Sequence, residues 1–148
     1  MNVEEIIKTD KRLPLPKRTM IHFALVSNKI REAFGIALKP YDMSEQQFNV
    51  LRILRGQKGN PANLSTINER MVTKMSNTTR LVDKLINKGF VDRMVCPTNR
   101  RKVEITITAK GLDILSELDT VMEKTENQLL KEFNQDELKE LNQLLHKF

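Results

Sequence analysis

Apolar residues recur at three- and four-residue steps through most of this chain and at two-residue steps in one short stretch, and the change of period divides it into elements. From about residue 17 to residue 38, Phe23, Val26, Ile30, Phe34, Ala37 and Leu38 form one stripe, edged by Ile21, Ala24 and Leu25. A stripe that wide predicts an amphipathic helix with several packing partners. The residues ahead of it, with Pro14 and Pro16, are expected to form a weakly ordered, extended lead-in, and Lys39-Pro40-Tyr41-Asp42 breaks the helix behind it. Ser44 followed by Gln47 is a capping-box start, and Phe48, Leu51, Ile53 and Leu54 carry a second helix to about Gln57. A short third helix over about 65–71 has Ile67 and Met71 as its inward pair, with Leu64 just ahead. After the connector Val72-Thr73-Lys74, a fourth helix over about 75–88 turns Thr78, Leu81, Val82 and Leu85 inward, and Gly89 closes it.

The period then drops to two. Phe90, Val91, Arg93 and Val95 predict a strand, Pro97-Thr98-Asn99 a turn, and Val103-Glu104-Ile105-Thr106-Ile107 a second strand with strict alternation. Thr108 caps a fifth helix over about 109–133, with Leu115, Leu118, Met122, Thr125 and Leu129 on one face. Asn134 with Glu137 starts a sixth, on which Leu138, Leu141, Leu144, Leu145 and Phe148 are expected to face inward. The fold class is therefore mainly α with a small β-hairpin: four helices, the hairpin, two more helices.

Length and charge narrow the function. A chain of 148 residues fits a single domain, 1–148, that buries roughly 70% of its unfolded surface. The one cysteine, Cys96, allows neither an internal disulfide nor a cysteine-based zinc site and fits a reducing, cytoplasmic setting. No apolar run reaches signal-peptide or membrane-spanning length, so no membrane partner is expected. The net charge of +6 is unevenly spread. Between Arg70 and Lys102 nine basic residues face two acidic ones, while from Gly111 to Phe148 nine acidic residues outnumber four basic ones. Such polarisation suits a protein with one face against a polyanion and the rest in solvent.

A short helix, a tight turn, a second helix and an immediate hairpin outline a winged helix-turn-helix. With Thr78, Leu81, Val82 and Leu85 inward, the opposite face of the fourth helix presents Ser76, Asn77, Arg80, Asp83, Lys84 and Asn87. Short polar side chains near a helix start reach base edges or phosphates, and Arg80 and Lys84 one turn apart read guanine or pair with phosphates. Lys74 and Thr79 flank the same surface. At the hairpin tip, Arg100, Arg101 and Lys102 are three consecutive cations without an acidic neighbour in sequence, as expected if a polyanion neutralises them. The DNA-binding candidates are thus Lys74, Ser76, Asn77, Thr79, Arg80, Lys84, Asn99, Arg100, Arg101 and Lys102, with duplex DNA as the partner.

The ordered set Gln47-Phe48-x-Val50-Leu51, Ile67 to Met71, Ser76 to Arg93, Asn99-Arg100-Arg101 and Ile105 to Gly111 resembles the MarR family of regulators over about residues 17–148. The resemblance implies a homodimer built by the terminal helices, about 17–38 and 109–148, carrying a DNA-binding winged helix at about 44–107. It implies a repressor of a pseudo-palindromic operator, released by a small-molecule effector that no residue identifies. It also implies that Arg101 enters the minor groove, held by an aspartate in the family's wing; here Asn99 stands at that position, which keeps a hydrogen-bond acceptor and loses the charge.

Other chemistry is thinly represented. Family members that sense peroxide carry their thiol in the first helix, where this chain has none, and Cys96 reads more simply as a turn residue. His22 and His146, far apart in sequence on the first and sixth helices, lack cysteine partners and repeated ligand spacing, so no metal or other cofactor is expected. The seven methionines read as core filler, although Met71, Met75 and Met94 bracket the basic segment. There is no nucleophile-base-acid set and no phosphate-binding glycine loop, so the chain is not expected to be an enzyme. The competing reading is a winged-helix module that binds protein or RNA without sequence-specific duplex recognition.

Overall fold

The computed structural model describes residues 2–73, 77–96 and 99–148, and for residues 96 and 99–102 the backbone alone. Seven α-helices and two strands occur among the described residues, one helix more than the sequence pattern predicts. The extra one is a single turn, α1 (Val3–Ile6), where the Asn2 side chain accepts from the Glu4 amide. Val3 is fully buried, and Arg18 Nε donates to both Glu4 carboxylate oxygens at 3.0 and 3.1 Å. The lead-in is therefore folded back rather than extended. Helix α2 (Leu15–Leu38) begins ahead of Lys17, with Pro16 in its first turn, where the missing N–H breaks no helical bond.

A 3-10 turn (Lys39–Tyr41) ends α2, and Asp42 adopts the left-handed conformation, φ +50°, that reverses the chain. Helix α3 (Glu45–Arg55) starts with the expected capping box: Ser44 Oγ accepts from the Gln47 amide at 3.1 Å and Gln47 Oε1 from the Ser44 amide at 3.0 Å. It stops two residues short of Gln57, at Gly56. Helix α4 (Leu64–Arg70) is capped by Asn63, and α5 (Thr78–Asn87) is closed by Gly89 at φ +73°, where a side chain would be strained. Strands β1 (Val91–Cys96) and β2 (Asn99–Ile107) pair antiparallel, from Val91 opposite Ile107 to Val95 opposite Val103.

Helix α6 (Ala109–Leu130) begins at the Thr108 cap and α7 (Gln135–Leu145) at the Asn134–Glu137 capping box, both as the sequence indicates. The core lies between α3, α5, the hairpin base and α6, where Val50, Leu51, Ile67, Val82, Leu85, Val91, Ile105, Leu115 and Leu118 are fully buried. Leu38 carries the end of α2 into it. Ala62 adds a short third rung to the hairpin, exchanging backbone bonds of 2.9 and 2.8 Å with Ile105.

The stripe on α2 ahead of Phe34 and the apolar face of α7 are not core within one chain. Phe23, Val26 and Ile30 remain 36–39% exposed, Leu138 and Leu141 are half-buried, and Leu144, Leu145 and Phe148 are exposed. The inward packing expected of the sixth predicted helix is thus corrected: Phe148, beyond the end of α7, makes an edge-to-face contact with Phe23 of α2, ring centres 5.3 Å apart, and most of the leucine face of α7 stays open. Periodicity reveals an apolar face but not what covers it.

Candidate nucleic-acid interface

Helices α4 and α5 place one helix face outward beside the hairpin. The two helices are tied by Thr78 Oγ1 donating to Asn68 Oδ1 at 3.2 Å, which satisfies a hydroxyl buried under α5. Thr78, Val82 and Leu85 are buried and Leu81 half-buried, as the spacing predicts. The opposite face then presents Asn77, Thr79, Arg80, Lys84 and Asn87 to solvent. Asn77 lies just ahead of the first turn, and its side chain makes no capping bond. Lys74 and Ser76, expected on this surface, lie outside the described residues.

Charge on this face is unevenly satisfied. Asp83, its one carboxylate, is paired with Arg93 of β1 at 2.6 Å, which joins the helix to the hairpin. Among the described residues neither Arg80 nor Lys84 holds an ion pair, so two cations one turn apart stay available to a ligand.

The hairpin differs from the expected free turn. Strand β2 starts at Asn99, opposite Cys96, rather than at Val103. Between the Cys96–Asn99 and Val95–Val103 pairs, Arg100, Arg101 and Lys102 are accommodated on β2 while β1 adds nothing, a bulge that places three cations in the strand itself. Pro97 and Thr98 lie outside the described residues, as do the side chains of Cys96, Asn99, Arg100, Arg101 and Lys102, and with them the Asn99–Arg101 contact expected in the wing.

The far end of α5 is held by contacts that the sequence pattern does not single out. Lys88 Nζ donates to the Asp42 carboxylate at 2.6 Å and also to the Asp42 backbone oxygen. That hydrogen bond, reinforced by the lysine charge, holds the Asp42 carboxyl below its ordinary pKa. On the other side Lys110 Nζ donates to the Lys88 carbonyl at 3.0 Å and lies 5.2 Å from the Phe90 ring centre, while Thr108 Oγ1 donates to the Gly89 carbonyl at 2.8 Å. These partners are 19 to 46 positions apart in sequence, beyond the reach of any local pattern.

Two clefts flank the core between these elements. One of about 780 Å³ opens between the end of α2, the start of α3 and α5, with Arg31, Lys39, Lys84 and Lys88 against Asp42 and Glu45. A smaller one of about 200 Å³ lies between α2, α3 and α6, walled by Phe34, Phe48, Met71 and Met122, with Arg52 and Glu126 at its polar edge. No group of three or more His, Cys, Asp or Glu side chains placed to hold a metal occurs among the described residues.

A helix pair with an exposed, unpaired basic face, followed directly by a two-stranded hairpin with a cationic insertion, defines a winged helix-turn-helix. Residues 43–103 match the MarR family model, the span from the start of α3 into β2. The chain is 27% identical over 109 residues to the HTH-type transcriptional regulator BilQ of Clostridioides difficile, covering 74% of this chain and 72% of that protein. It is 29% identical over 123 residues to the HTH-type transcriptional regulator PecS of Dickeya dadantii, covering 81% and 73%. The apo form of MarR from E. coli superposes with a TM-score of 0.71 at 26% identity, covering 93% of this chain and 98% of that one. A mutant of the same protein complexed with operator DNA superposes with a TM-score of 0.76 at 24% identity, covering 99% and 98%. Residues 43–103 thus carry a MarR-family domain, and over most of its length the chain resembles winged-helix, DNA-binding transcriptional regulators of that family.

Proposed function

We propose that this protein acts as a homodimeric repressor that reads a pseudo-palindromic duplex operator and is released by a small-molecule ligand. The observation that carries the DNA-reading half is the pair of unpaired cations, Arg80 and Lys84, on the solvent face of α5 beside the cationic bulge of β2. In this reading α5 enters a major groove, where Asn77, Thr79 and Arg80, with Ser76, meet base edges and Lys74 and Lys84 meet phosphates. The wing residues Asn99, Arg100, Arg101 and Lys102 follow the adjacent minor groove and its flanking phosphates. The DNA-binding region is then about 44–107.

The apolar residues left open on the terminal helices support pairing of two copies through about 17–38 and 109–148. Phe23, Val26 and Ile30 on α2, Leu130 and Phe133 at the end of α6, and Leu144, Leu145 and Phe148 on and after α7 are all at least 36% exposed in the single chain. So many large apolar side chains on the terminal helices match a self-complementary two-fold interface. The clefts between these helices and the DNA-binding region supply the ligand half. A molecule that fits one separation of the reading helices better than another shifts the dimer away from the DNA-competent arrangement.

Selection of duplexes from a random pool at two salt concentrations tests the reading. The expected product is a split, inverted-repeat motif with half-sites about one helical turn apart, enriched strongly at low salt and weakly at high salt. An unsplit motif, or enrichment indifferent to salt, would count against it and favour a protein- or RNA-binding module.

A further inference from the structure

The most specific long-range arrangement outside the reading face is at the C-terminal end of α5. Lys88, the C-terminal cap of α5, follows Lys84 by one helical turn and reaches the Asp42 turn across the cleft that both lysines line. Its side chain is only 22% exposed, and both acceptors it uses belong to one residue, Asp42. Asp42 presents its carbonyl and carboxylate together because its left-handed backbone turns the chain between α2 and α3. The Lys88 carbonyl in turn accepts from Lys110 in the first turn of α6, and the Gly89 carbonyl from Thr108, the cap of that helix. The end of the reading helix is thus gripped between the end of α2 and the start of α6, the two helices that run into the proposed two-fold region.

We infer that Lys88 is a positioning residue: by gripping Asp42 it fixes the reading helix against the dimerisation helices and so sets the half-site spacing the dimer accepts. This rests on the two-fold reading proposed above. Among the described residues Lys88 is committed to Asp42 while Arg80 and Lys84 hold no ion pair, so its charge serves geometry rather than phosphate contact. Each copy holds one such grip, and a spacing error must strain both. Exposed ion pairs are individually weak, so loss of both grips is expected to reduce discrimination between correct and incorrect spacing by roughly two- to tenfold.

The test measures binding of full-length protein to a panel of duplexes in which the two half-sites are moved apart or together by one and two base pairs. Wild type and K88R are expected to show a sharp optimum. K88M, which keeps the aliphatic stem, and D42N, which suits the left-handed backbone, are each expected to flatten it by that factor, with no further loss in the double variant. The Asp42 side chain is 95% exposed, so D42N keeps its fold and carries the test if K88M does not. A sharp optimum retained in D42N and K88M overturns the inference and leaves the two-fold reading standing. Tighter binding by D42N with weaker binding by K88M also overturns it, because Lys88 would then be a phosphate contact released by the loss of Asp42. A wild-type protein indifferent to spacing would overturn the two-fold reading and this inference together.

Discussion

Gly111 is the position at which the geometry dictates the largest effect of a single added methyl group. It lies in the first turn of α6, where that helix crosses the exit of α5 into the hairpin. A Cβ there would sit 2.1 Å from the Phe90 carbonyl oxygen and 2.8 Å from Ile107 Cγ1. The first distance is roughly 1 Å or more inside van der Waals contact. The obstacle is backbone, and the same carbonyl accepts from the Thr108 amide at 3.1 Å, so relief requires moving the hairpin base away from α6. Overpacking of this kind costs about 1–3 kcal/mol, and an unyielding neighbour places Gly111→Ala at the upper end. For a chain of this length that corresponds to a fall in Tm of roughly 5–10 °C.

Gly35→Ala is the matched control: its Cβ meets nothing within 4 Å in the interior of α2, so helix propensity alone predicts a gain of about 0.5–1 kcal/mol. Thermal unfolding of both variants at one protein concentration, which removes the mass-action contribution of pairing, checks the pair. Wild-type stability for Gly111→Ala, or shifts of the same sign in both, would refute the packing argument.

Three further outcomes are expected. Thr78→Val keeps the buried volume under α5 but leaves Asn68 without its hydroxyl donor, and urea unfolding should show a loss of about 1 kcal/mol. Asn77→Ala or Arg80→Ala should weaken operator binding by about 1–3 kcal/mol and relax base preference, whereas Arg101→Ala should weaken binding to many sequences alike; equal small losses in all three would contradict that division. Because the Lys88 hydrogen bond and charge lower the Asp42 pKa below its ordinary 3.8, the bridge contributes stability above that value and loses it as pH falls through the lowered one. The stability difference between wild type and D42N should accordingly be constant above about pH 5 and disappear in stronger acid, as read by unfolding at stepped pH.

What was legible in the sequence was what local chemistry determines. Ser44–Gln47, Thr108 and Asn134–Glu137 carry capping signatures whose partners lie within three residues, and each starts a helix where the pattern places it. The period-two run from Val103 to Ile107 and the inward set on α5 were equally readable, because a residue's face follows from its spacing alone. Pro16 was misread as part of an extended lead-in because proline is compatible with both that and a first helical turn, and only the Val3 and Glu4–Arg18 contacts decide. Ala62 pairing with Ile105, Lys88 reaching Asp42, and the close approach of Gly111 to Phe90 depend on tertiary placement, which no periodicity encodes. The apolar face of α7 was recognised, but its exposure in a single chain was not, since a pattern predicts the need for cover and not its source.

In the proposed reading, two copies of the α5–hairpin surface engage one duplex through phosphates and bases together. It is tested most directly by comparing affinity for a duplex carrying both inverted half-sites with one in which a single half-site is scrambled, across a series of salt concentrations. Far tighter binding to the intact duplex is expected, with a steep negative dependence of log affinity on log salt for both, steeper where two copies are seated. Equal affinity for the two duplexes, or affinity unchanged by salt, would contradict it.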